Sequence, residues 1–96
     1  MAKDEAVLDR LFRVIESRRG ADPESSRTAR LFAKGTAKIA QKVGEEAVEV
    51  VVAANAEDDR RLASESADLV YHLLVLLQAR GVGFDAVLKE LEVRAK

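Results

Sequence analysis

The fold is decided by residues 36–80, which read TAKIAQKVGEEAVEVVVAANAEDDRRLASESADLVYHLLVLLQAR. Apolar residues recur every three or four positions through this stretch, and sustained alternation with a period of two is absent. The spacing predicts one helix from about Thr36 to Asn55 and a second that continues to about Arg80. The break between them is short, so we expect the second helix to return antiparallel beside the first.

The same spacing predicts further helices on both sides of this pair. The first runs from about Glu5 to Arg19, a short helical turn ends near Gly35, and a last helix follows Gly83. Candidate N-caps are Ser25 or Ser26 for the short turn and Asp58 or Asp59 for the second long helix. The predicted apolar stripes hold Val7, Leu8, Leu11, Phe12, Val14 and Ile15 on the first helix, Ile39, Val43, Ala47, Val50 and Ala54 on the next long one, and Leu62, Leu69, Leu73, Leu76 and Leu77 on its partner. We therefore predict an all-α fold, an antiparallel helical bundle.

Length and composition narrow the function further. With 96 residues, 48% of them apolar and 34% charged, we expect one folded domain spanning 1–96, small enough that an oligomer would add useful buried area. A net charge of -1 argues against nucleic acid as a partner, and no apolar run is long enough for a membrane span. The absence of cysteine is compatible with the cytoplasm, and the N-terminus lacks the apolar core of a signal peptide. We expect a cytoplasmic protein.

Two acidic clusters lie on the paired long helices: Glu45-Glu46-x-x-Glu49 and Glu65-x-x-Asp68. Residues three apart are neighbours on a helix, and the short connection brings the two clusters face to face. Carboxylates in a partly desolvated space repel one another, so a hard divalent cation such as Mg²⁺ is a natural partner. The alternative is a solvated helix face with ordinary lysine pairs, and the acidic pattern alone does not decide between them.

Cations precede the first acidic cluster at every third or fourth position: Arg27, Arg30, Lys34, Lys38 and Lys42. Cations beside a metal-binding acidic site are typical of polyphosphate recognition, because the metal holds part of the substrate and the side chains hold the rest. The alternative is a set of exposed i,i+4 ion pairs, such as Lys42 with Glu46.

His72 is the only histidine of the chain and follows Asp68 by one helical turn. It could orient a ligand, touch the substrate or serve only the structure. Tyr71 faces away from the acids, so we predict that it packs. A di-iron carboxylate site is disfavoured, because such bundles use two histidines.

Two runs carry a family resemblance: Lys34-Gly35-x-x-Lys38-Ile39-x-x-Lys42-Val43-Gly44-Glu45-Glu46-Ala47-x-Glu49 and Glu65-x-Ala67-Asp68-Leu69-x-Tyr71-His72-Leu73-Leu74. With their spacing, and over about residues 8 to 92, they resemble the phosphoribosyl-ATP pyrophosphatase family. The acidic pair alone would indicate only the wider MazG-like superfamily of all-α nucleoside triphosphate pyrophosphatases.

The resemblance implies a MazG-like fold completed in a homodimer. It implies hydrolysis of 1-(5-phosphoribosyl)-ATP at its α–β linkage to 1-(5-phosphoribosyl)-AMP and pyrophosphate, the second step of histidine biosynthesis, with Mg²⁺ or, as a substitute, Mn²⁺. Residue by residue it implies three roles. The metal ligands are Glu46, Glu49, Glu65 and Asp68; the catalytic residues are Glu45, Glu46 and Glu49, with Glu45 acting through water or as a base; and the substrate contacts are Lys38, Lys42, Lys34 and Arg30, with His72 as a further candidate.

Two departures from the family pattern affect substrate contacts. This chain has Ser26-Arg27-Thr28 where the family often has Ser-Tyr-Thr, and Ala37 where it often has an acid. Fusion to the enzyme of the next step occurs in some relatives, and we expect this chain to perform one step only. Two other interpretations stay open: a MazG-type housekeeping nucleotide pyrophosphatase and a non-enzymatic helical dimerisation module.

Overall fold

A computed structural model describes the backbone of residues 2–96 and the side chains of residues 7–96. It contains five helices: α1 (Ala2–Ser17), α2 (Arg27–Lys34), α3 (Thr36–Ala56), α4 (Asp59–Ala79) and α5 (Phe84–Arg94). No strand occurs in residues 2–96, which confirms the predicted all-α fold. The predicted helices are all present, and the largest differences in their bounds fall at the ends of α1.

Local signals explain where the central helices begin. The side chain of Ser26 accepts a hydrogen bond from the backbone N–H of Ala29 and caps α2, and Asp58 caps α4 by accepting from the N–H of Arg61. Between α2 and α3 the chain turns at one residue, Gly35, whose φ of 92° favours glycine. This single-residue turn holds the cations of α2 next to the first turns of α3.

The antiparallel hairpin of α3 and α4 forms the largest helix contact; α1 packs on α4, and α2 bridges α3 and α4. One apolar cluster lies where these elements meet, built from Ile15, Leu31, Ile39, Leu74 and Val75. Its five residues come from four different helices, so the core ties α1 and α2 to the hairpin. Around it the rings of two half-buried phenylalanines, one from α1 and one from α5, lie 6.0 Å apart.

The buried face of α4 differs in part from the predicted one. Leu73 is 39% exposed, whereas Leu74 and Val75 are buried together with the polar residues His72 and Gln78. The reason is that α4 packs against α3 and also against α1 and α2. Its buried residues therefore lie between the side that contacts α3 and the side that contacts α1 and α2. The other four leucines of the predicted stripe are half-buried, and Leu76 and Leu77 pack against the apolar cluster, so the prediction is wrong only at Leu73.

The structure leaves much apolar surface uncovered. On α3, Val48 and Val51 are 61% and 59% exposed, and α5 has no buried residue. The radius of gyration is 14.3 Å, against about 12.5 Å for a compact chain of this length. The accessible surface is 6767 Å², against about 5,400 Å² for a monomer of this mass. Among the described residues, no helix is long and apolar enough to cross a bilayer.

Candidate metal and anion site

Three acidic side chains converge at the middle of the α3–α4 hairpin. Glu46 comes from α3, Glu65 and Asp68 come from α4, and one carboxylate oxygen of each lies within 4.8 Å of the others. Glu65 is 8% exposed, and Glu46 and Asp68 are half-buried. The three acids meet because α3 and α4 are antiparallel and carry them at the same level along the hairpin. We call Glu46, Glu65 and Asp68 the acidic cluster.

The other two predicted acids lie outside the acidic cluster. Glu49 follows Glu46 by one turn of α3 and is exposed. Glu45 is exposed as well, and its carboxylate accepts a hydrogen bond of 2.9 Å from the side-chain amide of Gln41. The structure therefore brings together three of the four proposed metal ligands, and Glu49 as the fourth stays a prediction.

Two cations already contact the acidic cluster. The Lys42 ammonium lies 3.8 Å from a carboxylate oxygen of Glu46, as the alternative interpretation of ordinary lysine pairs anticipated. The Arg61 guanidinium lies 2.5 Å from a carboxylate oxygen of Glu65 and also contacts Glu57. Asp68 forms no ion pair within residues 7–96. Arg61 was not among the predicted site residues, although its i,i+4 spacing from both glutamates was readable.

The acidic cluster fits a small divalent cation of the magnesium type. Its donors are carboxylate oxygens, which hard cations prefer, and two oxygens on opposite sides of Mg²⁺ are about 4.2 Å apart. The observed spread of 4.8 Å is within reach of small side-chain rotations. Occupation would require Lys42 and Arg61 to share or release their carboxylates, because each cation now holds one of the three.

His72 lies behind the acidic cluster rather than at its surface. Its side chain is 1% exposed, and its Nδ1 is 2.7 Å from the backbone carbonyl oxygen of Asp68, to which it donates when protonated there. Its Nε2 has no hydrogen-bond partner among the described residues. The histidine therefore contacts the backbone that carries Asp68, and the predicted contact with substrate stays a prediction.

A cationic pocket lies beside the acidic cluster. It has a volume of about 230 Å³ and is lined by Arg27, Arg30, Leu31, Lys34 and Lys42. Three of the predicted phosphate contacts (Arg30, Lys34 and Lys42) line it, whereas Lys38 is exposed on α3 and does not. Arg27 was part of the cation pattern but not of the predicted site. Lys42 belongs to both features, since it lines the pocket and pairs with Glu46.

The fold and the site together define an all-α protein in which an acidic cluster, with the oxygen donors that hard divalent cations prefer, lies beside a cationic pocket. Comparison with known proteins is more specific, because residues 8–95 match the phosphoribosyl-ATP pyrophosphohydrolase family. A phosphoribosyl-ATP pyrophosphatase of Azospirillum brasilense is 57% identical, with 98% of this chain and 87% of that protein covered. One from Erythrobacter litoralis is 60% identical, with 92% and 85% covered.

A bifunctional relative shows the same likeness over part of its length. The histidine biosynthesis bifunctional protein HisIE of Photobacterium profundum is 54% identical, with 91% of this chain and 42% of that protein covered. The chain belongs to the phosphoribosyl-ATP pyrophosphohydrolase family, which confirms the family predicted from the two motifs. It is therefore an enzyme of the hydrolase class.

Proposed function

We propose that this chain hydrolyses 1-(5-phosphoribosyl)-ATP to 1-(5-phosphoribosyl)-AMP and pyrophosphate, the second step of histidine biosynthesis. Membership of the family supports the reaction, and the relatives carry this substrate in their names. The structural observation that supports it best is the acidic cluster beside a cationic pocket. A substrate that carries several phosphate groups and binds together with a divalent cation needs both, because the cation and the basic side chains divide its charge.

Each acid has a proposed role in holding the cation. Glu46, Glu65 and Asp68 would hold Mg²⁺, or Mn²⁺ in its place, and Glu49 would complete the set from the next turn of α3. When bound, this ion polarises a phosphoryl oxygen and activates a water nucleophile. Glu45, exposed near the start of this run, is proposed to accept the proton of the attacking water, directly or through a second water.

The basic side chains are proposed to bind and orient the phosphates. Lys42 would leave Glu46 for a phosphate oxygen, and two observations support this: the pair is long at 3.8 Å, and the lysine lines the pocket. Arg30 and Lys34 would contact phosphate from α2, and Lys38 from the turn of α3 before Lys42. His72 is proposed to orient Asp68 through the backbone carbonyl that it contacts, with direct substrate contact as a further prediction.

We also propose that the chain acts as a homodimer. The surface of 6767 Å² exceeds that of a compact monomer by about 1,300 Å². Valines 48, 51 and 52 of α3 are exposed next to one another along the helix. A second copy packed on this face would cover apolar surface that a soluble monomer rarely displays. A single domain spanning 1–96 and a cytoplasmic location are further proposals.

The direct test is pyrophosphate release by the purified protein with and without Mg²⁺, comparing phosphoribosyl-ATP, ATP and a panel of dNTPs. We expect metal-dependent release from phosphoribosyl-ATP and little from the others. Release mainly from dNTPs would contradict the proposed substrate and favour a housekeeping nucleotide pyrophosphatase. No release from any substrate by folded protein would favour a helical module without enzymatic activity.

A further inference from the structure

The cationic pocket and the acidic cluster form two distinct parts of the site. Arg27, Arg30 and Lys34 come from one face of α2, at successive spacings of three and four residues. Within residues 7–96, no carboxylate pairs with any of these three side chains, and no acid lines the pocket. Lys42 alone belongs to both parts. Three cations therefore face a cavity without a counterion from the described chain.

The two arginines are held in place by contacts that leave donors available. Arg30 donates one hydrogen bond of 2.8 Å to the backbone carbonyl of Pro23. The Arg27 guanidinium stacks over the ring of Tyr71, with 5.8 Å between its central carbon and the ring centroid. The Tyr71 hydroxyl is fixed by a hydrogen bond of 2.5 Å with Thr28. An arginine has five N–H donors, so both side chains retain several for an anion.

The pocket suits one end of the substrate better than the whole of it. Its volume is about 230 Å³, whereas pockets that enclose a drug-sized ligand occupy about 300–1,000 Å³. Phosphoribosyl-ATP carries two separate anionic groups, a triphosphate on one ribose and a phosphate monoester on the other. Under the proposed function the triphosphate lies at the acidic cluster, whose carboxylates would hold the divalent cation that neutralises part of its charge. The monoester then needs a site that is cationic, free of carboxylates and nearby.

We propose that the pocket lined by Arg27, Arg30, Lys34 and Lys42 is a second anion subsite. It binds the phosphate monoester of the phosphoribosyl group, and it thereby distinguishes phosphoribosyl-ATP from ATP, which lacks that group. The inference rests on the proposed function for the identity of the substrate. It adds Arg27 as a specificity-determining residue of this chain.

The test uses the variants Arg27→Gln and Arg30→Gln, with Arg60→Gln as a matched control. Arg60 is exposed in the first turn of α4, at the α3–α4 connection and outside the pocket. For phosphoribosyl-ATP we expect each pocket variant to raise KM about 10-fold with little change in kcat, the pattern for loss of a charged hydrogen bond made equally in ground and transition states. Arg27→Lys should recover part of the loss, because it restores the charge without the planar fork.

ATP separates the two subsites. As a competitive inhibitor of phosphoribosyl-ATP hydrolysis, ATP should bind Arg27→Gln and wild-type protein with the same inhibition constant. An equal loss for ATP and phosphoribosyl-ATP would overturn the proposal, because it would place the triphosphate in the pocket. An unchanged KM for phosphoribosyl-ATP in both pocket variants would overturn it too.

A binding measurement keeps this inference separate from the proposed reaction. Calorimetric titration with ribose 5-phosphate, in the absence of divalent cations, should show binding to wild type and Arg60→Gln and none to the double variant R27Q/R30Q. Ribose itself should not bind. Absence of pyrophosphate release from wild type would contradict the reaction, whereas absence of ribose 5-phosphate binding to folded wild type would contradict the subsite.

Discussion

At the scale of single residues, the carboxylates of the site differ in what they contact. Glu46 and Glu65 each face a cation of the chain, whereas Asp68 has no ion pair within residues 7–96. A half-buried carboxylate next to two others is held at close range to like charges. Asp68 is therefore the acid of the cluster with the most to gain from a bound cation.

Asp68→Asn should remove most of the activity and leave the helices intact, because it deletes one anionic ligand without changing side-chain volume. We expect kcat/KM to fall at least about 100-fold. Mutating a residue that only supports a metal ligand lowers activity by up to about 100-fold, and loss of a ligand itself should cost at least as much. The measurement is pyrophosphate release at saturating Mg²⁺, with circular dichroism as the control for folding.

Glu49→Gln provides the matched comparison from outside the acidic cluster. If Glu49 is a fourth ligand, this variant should also keep its fold and lose most of its activity. Near-normal turnover by Glu49→Gln beside an inactive Asp68→Asn would contradict the role of Glu49 and define a set of three ligands.

The roles of individual residues were only partly readable from sequence. Helical spacing placed Glu46, Glu65 and Asp68 on facing helices, and the structure brings these three together. The pair of Arg61 with Glu65 was readable from the same spacing but was not predicted. The spacing could not reveal that His72 is 1% exposed. Burial of His72 depends on the rotation of α4 between its neighbours, which a one-dimensional pattern does not determine.

At the scale of helices, α4 carries two acids of the acidic cluster, Glu65 and Asp68, and also Arg61, a cation that pairs with Glu65. Arg61 sits one turn before Glu65 and pairs with it, so a cation that binds Glu65 must compete with a guanidinium from the same helix. The capping residue Asp58 accepts from the backbone N–H of Arg61, which fixes the start of the helix near this pair.

Arg61→Gln should separate folding from metal binding. Without divalent cations, the variant leaves the buried Glu65 carboxylate without its ion pair, and we expect it to lose about 1–2 kcal/mol of unfolding free energy. With Mg²⁺, the competitor is gone, so the rise in melting temperature should be larger than in wild type and should begin at lower Mg²⁺ concentration. Thermal unfolding across a Mg²⁺ titration measures both effects.

Arg60→Gln is the control for this pair, since Arg60 precedes Arg61 and forms no ion pair within residues 7–96. It should behave as wild type in both conditions. A weaker response of Arg61→Gln to Mg²⁺ would show that Arg61 supports the metal site instead of competing for it.

The helices themselves were well predicted because their ends carry local signals. Ser26, Asp58 and Gly35 cap or break the chain through contacts within a few residues, and all three stand where the sequence placed a boundary. The buried face of α4 was predicted wrongly at Leu73, because burial there depends on three other helices. Helix ends can therefore be predicted from a few neighbouring residues, whereas burial depends on helices that are distant in sequence.

At the scale of the whole molecule, the chain is less compact than its length allows. The valines of α3 and the leucines of α5 are exposed, and the radius of gyration exceeds that of a compact chain. This shape is typical of a subunit whose core is completed by a partner.

Val51→Lys should therefore weaken the proposed homodimer. Val51 is 59% exposed, and a lysine buried at a subunit interface would carry an unpaired charge. We expect sedimentation to show a dimer for wild type and a monomer for the variant at the same micromolar concentration. Val93→Lys changes a valine that is 67% exposed in the last turn of α5, outside the α3 valines proposed as the dimer face, and this control should remain dimeric. A wild-type monomer at high concentration would contradict the proposal.

The ion pairs of Lys42 and Arg61 bear on how the newly synthesised chain folds before it meets a metal ion. Because the chain supplies counterions for two of the three acids, we expect the α3–α4 hairpin to close before any metal arrives. Under the proposed metal-dependent function, folding and activation are then separate events, unlike in zinc fingers, where binding free energy is folding free energy. We expect a newly made molecule to stay folded and inactive during a shortage of divalent cations and to become active when the supply returns.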